Sequence, residues 1–185
     1  MGDKKAFKGF SGLRIALVTK NSATEYATNT QIPMTGAQSF TMSPEVSEWK
    51  IPGDDGIFDS GADWNGAKFT LTLAHMPLEW KPNFEGGTYN STTKEYDYGS
   101  DSQAPEIAIG FKVLLSGGGW RMVKLWSCKC SSLKEDFKTK GESGDISPVT
   151  IEGLIQNRAL DNKAKREKEA AVEADLTWLD SFATA

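Results

Sequence analysis

Apolar and polar residues alternate over short runs along most of this chain, and clusters of Gly, Pro, Asn and Asp separate the runs. A period of two punctuated by turn residues predicts a mainly β protein, a sandwich or barrel, and not alternating βαβ units. Residues 13–19 form the first expected strand. Residues 36–42 and 46–51 follow as two strands flanking a bend at Ser43–Pro44. In residues 67–74, Phe69, Leu71 and Leu73 share one face while Lys68, Thr70 and Thr72 share the other, so this strand has one dry and one wet face. Residues 106–129 carry two β-rich runs joined by Ser116-Gly-Gly-Gly119, a hairpin signal. On the second run Trp120, Met122, Trp126 and Cys128 are apolar at even positions and Val123 and Leu125 at odd ones. Both faces are therefore expected to be covered, by the core and, as one option for the second face, by a neighbour. Residues 149–155 supply the last expected strand.

Between these strands lie weaker signals. Pro52-Gly-Asp-Asp-Gly56 is a turn cluster, and 59–66 a loose Gly- and Asp-rich stretch, so 46–66 reads as a long protruding hairpin or loop. Residues 76–81 can start a short helix that tolerates Pro77 in its first turn and stops at Pro82. Residues 86–102 read as a loop or small hairpin, and 133–143 as a charged connection. Residues 159–185 form a charged C-terminal extension, helical or mobile, because 161–171 are largely strong helix formers. Leu176, Leu179 and Phe182 then recur at helical spacing and can dock onto the body or a partner.

Length and charge narrow the classes. A chain of 185 residues with 38% hydrophobic residues fits one domain, 1–185. A net charge of −4 argues against a nucleic-acid binder, which needs basic residues to neutralise phosphates. The apolar run 13–18 is short for a signal segment, and no stretch approaches the roughly 20 apolar residues of a membrane-spanning helix. Cys128 and Cys130 are one residue apart, so on a strand both point the same way without suiting a disulfide, and they read as reduced and partly buried.

No arrangement of residues marks chemistry. Asp54, Asp55, Asp59 and Asp63 offer oxygen ligands for calcium, but their spacing is not that of an EF-hand, and a solvated turn explains them. His75 is the single histidine and continues an alternating strand, which suits a packed or edge position better than a triad. The two cysteines lack zinc-ribbon spacing. Gly117-Gly-Gly119 has no following Lys-Ser or Lys-Thr and sits between strands, so it is a hairpin turn and not a phosphate loop. No catalytic residue, metal or cofactor is expected, and the chain is read as a non-enzyme.

Three segments carry a resemblance to a known family. They are Gly53-Asp-Asp-Gly-Ile-Phe-Asp59 leading into Lys68-Phe-Thr-Leu-Thr-Leu-Ala-His-Met-Pro-Leu-Glu79, then Ser102-Gln-Ala-Pro-Glu-Ile-Ala-Ile-Gly-Phe111 with the arm through Trp126, and finally Phe137-Lys-Thr-Lys-Gly-Glu142. Over residues 12–156 the chain resembles the major tail proteins, or tail tube proteins, of long-tailed non-contractile phages (siphoviruses) of Gram-positive bacteria. The charged run 163–173 departs from that family, while 178–182 looks like its aromatic ending.

The resemblance implies a β-sandwich of the tail tube type with a short flanking helix. Copies would form hexameric rings stacked into a tube that delivers the genome. The partners implied are further copies of the chain, the tape-measure protein, the tail terminator and the distal tail protein. DNA would pass through without specific binding, no membrane would be involved, and the place would be the virion after synthesis in the host cytoplasm. Uncovered edge strands suit such an assembly, because they pair with neighbours. On that reading Lys68, Thr70 and Thr72 face the lumen, and Trp49, Ile51, Asp54, Asp55, Ile57, Phe58 and Trp64 make the contact between rings, since exposed apolar residues need a partner. The alternative is a carbohydrate-binding β-sandwich whose tryptophans and tyrosines form a sugar platform. A glycoside hydrolase with two carboxylates ranks behind it, because no motif marks a catalytic pair.

Overall fold

The computed structural model describes residues 5–137, 139, 147–171 and 173–182. Its strands are β1 (Phe7–Asn21), β2 (Tyr26–Thr28), β3 (Ile32–Pro33), β4 (Ala37–Gly53), β5 (Gly56–Leu73), β6 (Thr88–Asn90), β7 (Glu95–Asp97), β8 (Glu106–Leu115), β9 (Trp120–Glu135), β10 (Val149–Gln156) and β11 (Lys165–Ala170). A 3-10 turn at Leu78–Trp80 leads into the one-turn helix α1 (Pro82–Glu85), and a second 3-10 segment spans Glu173–Asp180. The fold is mainly β, as the alternation predicts.

Nine strands form one antiparallel sheet in the order β2-β1-β8-β9-β10-β5-β4, with β3 on β1 and β11 on β9. The long strand β9 is the spine. One edge pairs with β8 over 120–129, and the other carries β11 opposite 120–125 and β10 opposite 127–135. The sheet curls on itself until its outer strands meet, the Phe10 ring on β1 stacking on Phe40 of β4 at 6.4 Å. Phe40 also packs on Phe69 at 5.8 Å and Phe111 at 4.9 Å. Such ring pairs add about 0.5–1.5 kcal/mol each beyond the area they bury. The core inside the curl includes Leu13, Ile15, Phe69, Leu71, Leu73, Ile107, Ile109, Leu125 and Ile151. Gly153 keeps this core tight: a Cβ there would lie 2.5 Å from the Phe69 ring and 2.4 Å from the Lys129 carbonyl.

Several elements differ from the sequence expectation. Residues 36–42 and 46–51 are not two strands about a bend but the single strand β4, which runs through Pro44. A proline is tolerated there because β4 is an edge strand, whose outward N–H groups have no partner to lose. Residues 59–66 are not loose but extended within β5. Pro82 does not stop a helix; it opens α1 at the first helical position, where a missing N–H costs nothing. Residues 86–102 contain the small hairpin β6–β7.

The C-terminal region departs most. Of the run 163–173, residues 165–170 form β11 instead of a helix, and β10 is therefore not the last strand. Helix propensity is worth tenths of a kcal/mol per residue, whereas the edge of β9 over 120–125 offers a ladder of unpaired backbone groups. Both faces of β9 are covered, the second by this same chain. Met122 packs with Ala170 and Leu179, and Trp126 packs with Tyr26 and Phe182. Phe182 rests on Gly110, where a Cβ would sit 3.1 Å from the ring. Arg158 is fully buried under this cap, 3.7 Å from the Trp126 ring centroid, and donates twice to Asp161 at 2.6 Å. Those hydrogen bonds, with burial opposing them, bring the Asp161 carboxyl down to about 2. Residues 133–135 of the expected charged connection 133–143 are instead the end of β9, paired with β10. Residues 138 and 140–143, which hold much of the third resembling segment, and the side chain of Leu176 lie outside the described residues.

The candidate site: a protruding arm and a polar sheet face

β5 behaves as two strands end to end. From 67 to 73 it pairs with β4 on one side and β10 on the other, and Ala67, Phe69, Leu71 and Leu73 are buried. From 56 to 64 it pairs with β4 alone, and these two lengths make a hairpin arm beyond the body. The change happens at Asn65 and Gly66. Glu45 pairs with Gly66 but Val46 pairs with Trp64, which leaves Asn65 as the extra residue of a β-bulge. Asn65 donates its side-chain amide to the Ser47 hydroxyl, holding the bulge. Gly66 has φ +130°, and a Cβ there would approach the Ile155 carbonyl at 3.0 Å. Only glycine meets both demands easily.

The arm's eight β4 residues, 46–53, extend it by roughly 26 Å at about 3.3 Å per residue. Trp49, Ile51, Ile57, Phe58 and Trp64 are all exposed on it, Phe58 at 81%. Register places Val46, Trp64 and Ile57 on one face and Trp49 and Ile51 on the other. Trp49 lies over Gly61, where a Cβ would come within 2.5 Å of the indole. A second bulge sits near the tip: Ile51 pairs with Asp59 and Pro52 with Ile57, so Phe58 is displaced outward. Asp54 and Asp55 form the turn, and Asp59 and Asp63 follow on β5. Residues 46–64 hold five carboxylates and one lysine, a net −4 that equals the charge of the entire chain. The rest of the sequence is therefore balanced.

Below the arm, Lys68, Thr70 and Thr72 stand together on the outer face of the sheet. Their neighbours come from strands distant in sequence. Thr72 lies beside Ser39 and Thr150, Thr70 beside Thr41 and Glu152, and Lys68 beside Ser43 and Leu154. β9 adds Lys134, Ser132 and Lys129 in the same rows. The result is a hydroxyl-rich surface across β4, β5, β10 and β9 whose charges are largely answered. Lys68 meets Glu45 at 2.5 Å, and Lys134 meets Glu152 at 2.8 Å. The Lys134 hydrogen bond holds the Glu152 carboxyl below its ordinary value, and the Glu45 hydrogen bond holds the Lys68 ammonium above its own. The alternation of Thr150, Glu152 and Leu154 in 149–155 was the available signal for β10's share of this face.

The structure brings the wet-face residues into one surface and the apolar arm residues into one hairpin, but the two groups occupy different parts of the molecule. Trp49 and Trp64 stand on opposite arm faces, whereas Trp126 is enclosed in the body, so the tryptophans do not build one sugar platform. His75 is exposed, 5.7 Å from the Trp80 ring. Cys128 and Cys130 are free and buried, and burial raises both thiols, Cys130 to about 11. Among the described residues no group of three or more His, Cys, Asp and Glu could hold a metal ion, and no helix is long and apolar enough to cross a membrane.

No family model matches this sequence, and no curated protein matches it. Solved structures with a chain similar to it in shape include the following three. A chain of the anti-feeding prophage baseplate has a TM-score of 0.46 and 11% identity, over 91% of this chain and 97% of that one. A chain of the anti-feeding prophage tube-terminating cap has a TM-score of 0.42 and 12% identity, over 85% and 88%. A chain of the PVC sheath–tube complex, an extracellular contractile injection system in its extended state, has a TM-score of 0.42 and 12% identity, over 87% and 89%.

Proposed function

We propose that this chain is a structural subunit of a phage tail tube, a non-enzyme that assembles with copies of itself into stacked hexameric rings. One observation carries the proposal: a long acidic hairpin whose large apolar residues are all exposed, on a body whose core packs without them. Exposed apolar surface of this kind is kept where a partner covers it. The free edge of β4 beside it supplies unpaired backbone groups for a neighbouring sheet.

In this proposal the four-strand face of β4, β5, β10 and β9 joins its counterparts around a ring, with Lys68, Thr70 and Thr72 turned to the lumen. A lining of hydroxyls and paired charges offers phosphates no strong basic track, so DNA slides past it without specific binding. The arm, through Trp49, Ile51, Asp54, Asp55, Ile57, Phe58 and Trp64, makes the contact between rings. The tape-measure protein occupies the lumen before DNA, terminator and distal tail proteins close the ends, and the assembled tube resides in the virion.

Negative-stain electron microscopy of the concentrated protein tests this. Rings or hollow tubes are the expected result. Particles that stay monomeric at high concentration, together with binding of oligosaccharides by those monomers, would replace the proposal with a carbohydrate-binding module.

A further inference from the structure

An apolar cavity of about 330 Å³ opens where the curled sheet fails to close. Phe7, Phe10, Phe40, Met42, Phe111 and Val123 line it, between the edges of β1, β4 and β11. Arg121 and Glu167 stand at its mouth, and their charges are already answered: Arg121 meets Glu169 at 2.7 Å and Glu167 at 4.0 Å, and Glu167 meets Lys165 at 3.0 Å. At the Phe7 end Lys5 and Lys8 flank the lining residues, and β1 contains no carboxylate; Lys5 also acts on the Glu169 carboxylate of β11.

We propose that this cavity receives the arm tip of a second copy of the chain, with Phe58 as the inserted ring. Four observations meet here. The bulge at the tip displaces Phe58 outward until it is 81% exposed, so it is presented and not packed. The cavity is lined by aromatic rings and Met42, which favour an aromatic guest. The arm is net −4, and the Phe7 end of the cavity is lysine-flanked. The donor and receptor are also too far apart to meet within one molecule: from Met42 to Gly53 is roughly 36 Å along an extended strand.

Because donor tip and receptor cavity are different surfaces, every copy gives one contact and receives another, a head-to-tail relation that propagates. The contact rests on the self-association proposed above and names its receptor.

The test places the photoreactive analogue p-benzoylphenylalanine at position 58 of the full chain, which keeps an aromatic ring at the tip. Concentrated protein is irradiated, and intermolecular adducts are mapped by mass spectrometry. Adducts on Met42 or on residues 7–10 are expected; adducts confined to other surfaces, or no intermolecular adducts, overturn the proposal. Self-association by sedimentation gives a second readout: Phe58→Asp weakens it about tenfold or more, whereas Phe58→Leu leaves it within about threefold. Wild-type association by Phe58→Asp would also overturn it. Microscopy of the same samples separates the two ideas. Tubes with adducts elsewhere retain the tube and discard this receptor, and cavity adducts without tubes do the reverse.

Discussion

The two halves of β5 share a strand, a partner and a direction, yet they do opposite things with their apolar residues. In the half from 67 to 73, Phe69, Leu71 and Leu73 are sealed between β4 and β10. In the half from 56 to 64, Ile57, Phe58 and Trp64 are exposed, and the backbone is paired on one side only. Apolar character alone therefore does not separate residues that fold this chain from residues left for a partner. What separates them is the bulge at Asn65, beyond which the strand leaves the sheet.

Deletion of residues 53–61 should break the comparison most completely. It removes the arm tip and leaves the core intact, so tubes or other large assemblies should be lost while circular dichroism and sedimentation show a folded monomer. Tubes that survive the deletion would refute the role given to the arm. Phe69→Ala attacks the other half and should cost about 3–5 kcal/mol in urea unfolding, as expected for an aromatic ring removed from a packed core.

Arg158→Met is expected to cost about 3 kcal/mol, the lower end for breaking a buried ion pair, because Asp161 keeps some contact with solvent. The same variant has a pH signature. The Asp161 carboxyl falls to about 2 in the folded chain against about 3.9 when unfolded, so its contribution is present above about pH 4 and is lost as pH falls toward 2. Arg158→Met should reduce that acid-dependent loss, leaving the smaller share that Lys163 contributes at 3.5 Å, and an unchanged acid profile would count against the pairing. Smallest of all should be the effect of Trp49→Ala or Phe58→Ala on monomer stability, within about 0.5 kcal/mol. A cost near 2 kcal/mol at either position would mean that the arm contributes to folding after all.

Legibility in the sequence followed the same division. The buried half of β5 was readable because Phe69, Leu71 and Leu73 keep strict alternation, and the β8–β9 hairpin because its runs flank a glycine turn. The turn cluster at 52–56 marks the arm as protruding, but the Gly- and Asp-rich composition of 59–66 predicts a loose stretch where the chain is extended strand. The extra residue at Asn65 moves β5 from odd inward positions to even ones, so Trp64 and Ala62 fall out of step with Phe69. A bulge in β9 has the same effect: the step from Leu125 to Cys128 opposes the shorter step from Ile109 to Ile107, which puts Cys128 with Leu125 in the inner core and not with Trp126. Lys68, Thr70 and Thr72 were readable as one wet face, whereas Lys134 and Ser132, on β9, came into it only through the pairing of β10.

By itself, the sequence determined that this chain would be built of strands, that the strand at 67–73 would have a dry and a wet face, and that an acid-rich hairpin would project with apolar residues on it. Each of these depends on residues within a few positions of one another. Only the tertiary structure decided that 165–170 would be a strand, that the C-terminal segment would cover β9, and that a cavity would open between β1, β4 and β11. Those outcomes depend on which backbone edge remains unpaired after the rest of the sheet has formed. The partner for that edge lies dozens of residues away, where local alternation carries no information about it.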